Sequence, residues 1–156
     1  MDLIDLMIGV ITAPAQTFKK ISDREPVFWA LLINLFLFSL SFFQTLAIQP
    51  SIYQGLIGNI LGWIFFVGAG IIFLLLFTGL LFLISKLLKG SGRYWQLFCV
   101  LSFSNVIMIF SPINSVISHF LDTANPLTIL LGLGLSAWAI ILVIIAIREA
   151  QQFTTV

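Results

Sequence analysis

The chain has 156 residues, of which 60% are hydrophobic and only 8% charged, and its formal net charge is +1. Soluble domains carry about 25% charged residues, and a water-soluble fold of this length could not cover its surface with a third of that share. The composition therefore predicts an integral membrane protein of the all-α class, excludes a water-soluble domain, and gives no indication of nucleic-acid binding.

The amino-terminal residues 1–25 are predicted to form a cytoplasmic amphipathic segment. Its apolar stretch, Leu3–Ile11, is too short to span a bilayer, which requires about 20 residues. It suits a short helix that lies at the membrane interface with its acidic residues in water. Packing of this helix on the rest of the protein is an equally good interpretation. Acidic rather than basic residues, Asp2 and Asp5, lie at the start of the apolar stretch, and Pro14 lies in the would-be cleavage site, so a cleaved signal peptide is not expected.

A transmembrane domain is predicted over 26–148, and it begins with about 60 residues without a charge, 26–85. This length accommodates two spanning helices and a turn. The stretch "IQPSIYQGLIGN" supplies Pro, Gly and Asn residues that indicate the turn. We therefore predict helices at about 27–48 and 59–85, the second of them tilted because it exceeds the thickness of the bilayer.

The third predicted helix covers about 95–118 and is interrupted by the sequence "FSPINS". Pro112 removes a backbone hydrogen bond and tends to kink a helix. The segment is therefore either one kinked helix or a helix to about Phe110 followed by a short re-entrant or interfacial piece. A fourth helix is predicted at about 127–147, with Pro126 near its start, and residues 149–156 are predicted to form a cytoplasmic tail.

The basic residues give the expected orientation. With four membrane passes, all seven lie on one side, before the first helix, between the second and third, or after the fourth; they are Lys19, Lys20, Arg24, Lys86, Lys89, Arg93 and Arg148. Cytoplasmic loops are enriched in Lys and Arg, so we predict an inner-membrane protein with both termini in the cytoplasm. A five-pass alternative would divide the third segment at Pro112 and send Arg148 outward, but residues 113–121 are too few to span.

Small and polar residues recur along the predicted helices, and six of them are singled out as seam residues: Asn34, Ser41, Gly58, Gly62, Asn105 and Pro112. Small residues let helix backbones approach closely, and amide side chains form hydrogen bonds between helices. We interpret these residues as packing seams of a four-helix bundle. The alternatives are a polar path for a solute and an interface with another membrane protein. A solute path usually includes ionisable groups at depth, and the predicted helices contain none.

The loop "SKLLKGSGRYWQ" combines three cations, two glycines and an aromatic pair. Tyr94 and Trp95 suit headgroup depth, so the loop is interpreted first as a topology signal with an aromatic anchor. The functional alternative is a surface that docks a partner or an anionic lipid head. A phosphate-binding loop is not expected, since no strand precedes the glycines and no G-K-[ST] follows them.

No catalytic, metal-binding or cofactor-binding set is evident in the sequence. The six acidic residues lie in termini and loops. One Cys and one His cannot build an ordinary zinc site, which requires three or four nitrogen or sulfur ligands. His119 and Asp122 are close in sequence, but a lone His near a helix end is more often an interfacial group than a catalyst. We predict no enzymatic activity and no cofactor.

Several stretches, taken in order, resemble the Yip1 domain family. "ITAPAQTFKKI" precedes the first helix, "KLLKGSGRYWQLF" forms the basic loop, Pro112 lies in the third segment, and "AWAIILVIIAIREAQQFTT" closes the chain. The ordered set covers nearly the whole chain. The loop has Gly90-Ser91-Gly92 where a double glycine is often seen. The long polar region that precedes the domain in eukaryotic members is not seen here, which suggests a prokaryotic-type member.

The resemblance implies a multi-pass protein that works through contacts. Eukaryotic relatives bind Rab-type small GTPases, so a small GTPase is expected only if this chain is eukaryotic-like. We predict an accessory or scaffold protein that contacts membrane lipids and binds other integral membrane proteins, such as an ABC-type transporter, or further copies of itself. The alternative is a small transporter or channel for an uncharged or polar solute. The candidate partner contacts are Pro14, Phe18, Lys86, Lys89, Gly90, Gly92, Arg93, Trp138, Arg148 and Glu149.

Overall fold

Helices make up almost all of the described part of the chain. The structure, a computed structural model, describes residues 3–48, 55–112 and 125–152, and no β-strand occurs among them. In chain order the elements are α1 (Leu3–Thr12), α2 (Pro14–Arg24), α3 (Val27–Ile48), α4 (Gly55–Leu87), α5 (Tyr94–Ser104), a 3-10 helix (Asn105–Phe110) and α6 (Pro126–Gln151). The predicted all-α class is confirmed.

Three helices are long and apolar enough to cross a membrane. They are α3, over Val27–Ala47, the 33-residue α4 and the 26-residue α6. The apolar segment Tyr94–Phe110 is shorter. Three of the four predicted transmembrane helices, the first, second and fourth, therefore have the length and composition that a span requires.

Two of these helices are longer than predicted. α4 begins at Gly55 rather than at 59, so Gly58 and Asn59, expected in a turn, lie inside the helix. Helix propensity is a weak preference that the surrounding apolar run overrides. α6 continues to Gln151 rather than ending at 147, so Arg148 lies in its last turn and the predicted tail is partly helical. The Asn125 side chain caps the start of α6 by accepting a hydrogen bond from the N–H of Leu127, at 3.0 Å.

The amino-terminal segment forms two helices rather than one. Pro14 occupies the first turn of α2, where its missing N–H costs nothing, and the chain bends at the preceding residue. Leu6 and Val10 of α1 are buried in the core. Leu3, Met7 and Ile11 pack against the core as well, and only Ile4 and Ile8 among the apolar side chains of α1 from Leu3 to Ile11 are exposed. The structure therefore agrees with the packing interpretation of α1.

The third segment is interrupted earlier than predicted. The α-helix ends at Ser104, six residues of 3-10 helix follow, and α-helical geometry returns at Ser111. Pro112 has no N–H to donate to the carbonyl of Met108, as an α-helix requires; that carbonyl accepts from the N–H of Ser111 instead. The rest of the predicted third helix lies outside the described residues.

Helix α5 lies at the centre of the fold, with α2, α3, α4 and α6 packed around it. All of its residues from Gln96 to Ser104 are buried. The outer faces of the three long helices carry large exposed apolar side chains, such as Phe65, which is 78% exposed. Soluble proteins rarely expose apolar patches of this extent, so this surface suits contact with lipid.

Candidate functional site: the basic end

Three parts of the chain meet at one end of the helices, which we call the basic end: Glu25, residues 85–93 and residues 148–152. The Arg93 guanidinium pairs with the Glu25 carboxylate, at 2.5 Å between Nη2 and Oε1. The N–H of Ser91 donates to the carbonyl of Gln151 at 3.2 Å. These contacts bring together the start of α3, the loop between α4 and α5, and the end of α6.

The loop after α4 has a shape fixed by its own main chain. Lys89 adopts a left-handed conformation with φ of 64°. The N–H of Gly90 donates to the carbonyl of Ser85 at 2.8 Å, and the N–H of Lys89 donates to that of Lys86 at 3.1 Å. This is a Schellman ending with Lys where Gly is usual. The Lys86 ammonium is held within the loop, because it donates to the Gly90 carbonyl at 3.2 Å.

Gly90 and Gly92 let the loop pack directly on the end of α6. A Cβ at Gly90 would lie 2.8 Å from Oε1 of Gln151, and one at Gly92 would overlap the carbonyl oxygen of Ala150. Glycine is required at both positions because a Cβ would clash with its neighbours: the Gln151 side chain and the Ser85 carbonyl at Gly90, and the Ala150 backbone at Gly92. The Gln151 side chain is fully buried under the loop, and its amide atoms make no hydrogen bond to the described residues.

The exposed surface of the basic end is cationic. The side chains of Arg93 and Arg148 are 72% and 49% exposed, and Lys89 is exposed as well. Arg148 forms an ion pair with the adjacent Glu149, at 2.9 Å. The paired carboxylates of Glu25 and Glu149 are only 21% and 18% exposed, whereas the two guanidinium groups face outward and can be reached by a partner.

The structure separates the predicted partner contacts into three groups. Lys86, Lys89, Arg93, Arg148 and Glu149 lie together at the basic end, all exposed except the half-buried Glu149. Pro14 and Trp138 are half-buried elsewhere, Pro14 at the start of α2 and Trp138 within α6.

The prediction of direct partner contact needs correction for three residues. Phe18 is in the hydrophobic core, and Gly90 and Gly92 are buried against α6. All three residues are covered by other parts of the same chain. They support the surface and do not form it.

The predicted polar seam joins α3 to the third segment. Asn34 is buried, and its amide nitrogen donates to the Ala30 carbonyl at 2.8 Å. Asn105 donates to Oδ1 of Asn34 at 3.4 Å, and the Ser111 hydroxyl donates to Oε1 of Gln44 at 3.1 Å. Amide side chains thus link the two segments, as predicted for Asn34 and Asn105.

The remaining seam residues differ in how deeply they are buried. Gly62 is buried, whereas Gly58, Ser41 and Pro112 are half-buried. Gly70, which was not singled out, also lies against α3: a Cβ there would lie 3.0 Å from the Phe38 ring.

Two polar contacts between helices were not predicted. The indole N–H of Trp63 donates to the Ser39 hydroxyl at 3.0 Å, and the Tyr94 hydroxyl donates to the carbonyl of Leu75 at 3.0 Å. Buried Trp and Tyr usually find a partner for their polar atom. That rule signals a hydrogen bond in advance, although it does not identify the acceptor.

Within residues 3–48, 55–112 and 125–152, no three side chains of the types that usually bind a metal, His, Cys, Asp and Glu, come together. His119 and Asp122 lie outside the described residues.

Comparison with known proteins gives one match. The model of the Yip1 domain matches residues 8–156, from α1 to the last residue. No curated protein and no solved structure matches the chain significantly. The matched region includes every element of the basic end and both partners of the polar seam. The chain therefore belongs to the Yip1 domain family.

Proposed function

We propose that this Yip1-family membrane protein crosses the inner membrane four times and acts as an accessory or scaffold protein. In this proposal both termini are cytoplasmic, and the basic end binds other membrane proteins. The observation that carries it is the basic end itself: main-chain contacts hold the loop after α4 on the end of α6, and the Arg93–Glu25 ion pair joins the start of α3 to them. The side chains of Lys89, Arg93 and Arg148 are exposed there and cationic.

The lengths of the helices support four passes. The basic end contains the start of α3, the end of α4, the start of α5 and the end of α6. The start of α6 therefore lies at the opposite end of this 26-residue helix, and the chain from residue 94 to residue 125 has to cover that distance. The 11 residues of α5 and the 6 of the 3-10 helix together extend about 28 Å. The hydrocarbon core is about 30 Å thick.

Reporter fusions test the topology. We expect a fluorescent protein fused after Val156 to fluoresce in the cytoplasm, and alkaline phosphatase at the same position to be inactive. Phosphatase inserted between residues 49 and 54 is expected to be active. These residues connect the end of α3 to the start of α4, and both of those helix termini lie away from the basic end. Phosphatase activity of the fusion at Val156 contradicts the four-pass topology.

The polar seam supports a scaffold better than a solute path. Both oxygen and nitrogen of the Asn34 amide are engaged, by Asn105 and by the Ala30 carbonyl. The Gln44 side chain is engaged by Ser111. Interhelical polar bonds of this kind contribute about 0.6 kcal/mol each on average in membranes. They fit a role in holding α3 against the third segment.

The partner surface is tested by charge reversal at Lys89. Its turn is held by main-chain hydrogen bonds and its side chain is exposed, so Lys89→Glu should leave the fold unchanged. Like charges placed across an interface are strongly unfavourable, and we expect at least a fivefold loss of co-purifying partner in a mild-detergent pull-down.

The matched control is Lys19→Glu, which makes the same charge change at an exposed position of α2. It should retain the partner. Equal recovery of partner proteins from Lys89→Glu and wild type would show that the loop is not the docking surface.

A further inference from the structure

A cavity of about 180 Å³ lies next to the basic end, between α1, α2 and the start of α3. It is lined by Leu6, Lys20, Ile21, Arg24, Pro26 and Trp29. One water molecule occupies about 30 Å³ in the liquid, so the cavity has room for a group of several heavy atoms. No part of the proposed partner surface lines it.

The polar lining of the cavity consists of two exposed cations that have no ion-pair partner among the described residues. Lys20 and Arg24 are four residues apart on α2 and therefore lie on the same helical face. Neither forms an ion pair within the described part of the chain, where Glu25 is taken by Arg93 and Glu149 by Arg148. The lining thus offers one ammonium and one guanidinium to an anion, and guanidinium groups match the geometry of phosphate oxygens.

The other side of the cavity is apolar and adjoins the lipid-facing surface. Leu6 and Ile21 are buried at its floor. Trp29 lies in the first turn of α3, where the candidate span begins at Val27, and Trp favours the membrane interface. The neighbouring Phe28 is 69% exposed and packs edge-on against Trp29.

We propose that this cavity binds the headgroup of an anionic phospholipid. Lys20 and Arg24 bind the phosphodiester, and Trp29 and Leu6 contact the glycerol and the first carbons of the acyl chains. The combination of paired cations with an apolar floor at the start of a span selects an amphiphile, because a free phosphate ion gains nothing from the apolar side.

The test measures binding of phosphatidylglycerol to the full chain in non-ionic detergent, by native mass spectrometry across a lipid titration. The variant Lys20→Gln/Arg24→Gln is compared with Lys19→Glu, which lowers the net charge by the same two units at an exposed position outside the cavity. We expect the first variant to bind about 25-fold more weakly, at about fivefold per interfacial cation. The control should stay within twofold of wild type, and Lys20→Arg within threefold.

Three outcomes would overturn the proposal. Equal losses in the double variant and in Lys19→Glu would indicate general electrostatic attraction. Equal binding of phosphatidylcholine would show that the site does not select an anion. Displacement of the lipid by an equal concentration of inorganic phosphate would identify the ligand as a free ion. If the double variant at Lys20 and Arg24 unfolds, the single variants Lys20→Gln and Arg24→Gln, each expected to lose about fivefold, decide the question.

Discussion

Replacement of Gly92 by alanine is expected to lower the unfolding temperature of the detergent-solubilised protein by roughly 5–10 °C, which corresponds to about 3 kcal/mol. The added Cβ would overlap the carbonyl oxygen of Ala150. A backbone carbonyl inside the last turn of α6 cannot rotate away as a side chain can, so the loop and the helix have to separate. The measurement is thermal unfolding followed by circular dichroism or by reaction of buried Cys99 with a thiol dye.

The matched control is Gly134→Ala in α6, where a Cβ would meet no atom within 4 Å. Alanine is favoured over glycine in a helix by up to about 1 kcal/mol, so this variant should be as stable as wild type or more stable. Equal stability of the two variants would mean that the loop does not pack on α6. Separation of the loop from α6 should also reduce partner recovery in the pull-down that tests Lys89→Glu.

The long helices could be predicted because uninterrupted apolar runs leave few alternatives in a membrane. Helix α3 lies at Val27–Ile48 as predicted, and α4 and α6 differ from prediction only at their ends. The ends differ because single residues such as Gly58 affect a long apolar helix weakly. What stops α4 is the turn at Lys89, a residue that gives no sequence signal for a left-handed conformation.

The central position of α5 could not be predicted from composition. A helix that faces lipid and a helix buried in protein are both apolar all round, so the sequence of α5 does not distinguish them. Its residues Gln96–Ser104 are buried by contacts with α2, α3, α4 and α6. Those contacts depend on how the helices assemble, which a hydropathy pattern does not contain.

The basic end was predicted in part. The clustering of Lys89, Arg93 and Arg148 on one side follows from counting membrane passes. The contact between Ser91 and Gln151 joins residues 60 positions apart, and no local pattern indicates it. The sequence indicates that the glycines belong to a loop, but their role in close packing depends on contacts with Ala150 and Gln151 that form only in the folded chain.

The second large effect is expected for Phe18→Ala. Phe18 of α2 is fully buried in the core, and truncation of a buried Phe costs about 3–5 kcal/mol because it removes contacts and leaves a cavity. We expect a loss of at least about 6 °C in unfolding temperature. The control is Phe65→Ala in α4, whose side chain is 78% exposed. Detergent or lipid can fill the space there, so the change should cost less than about 1 kcal/mol.

Measuring both stability and partner recovery for Phe18 variants distinguishes a role in the core from a role in direct partner contact. As a core residue, Phe18 affects partner binding only through the fold, so Phe18→Leu, which conserves most of the volume, should restore both stability and partner recovery. As a contact residue, Phe18 would influence binding without influencing stability. A Phe18→Ala protein that unfolds at the wild-type temperature but loses its partner would therefore contradict the packing of α2 against the core, and would return Phe18 to the partner surface.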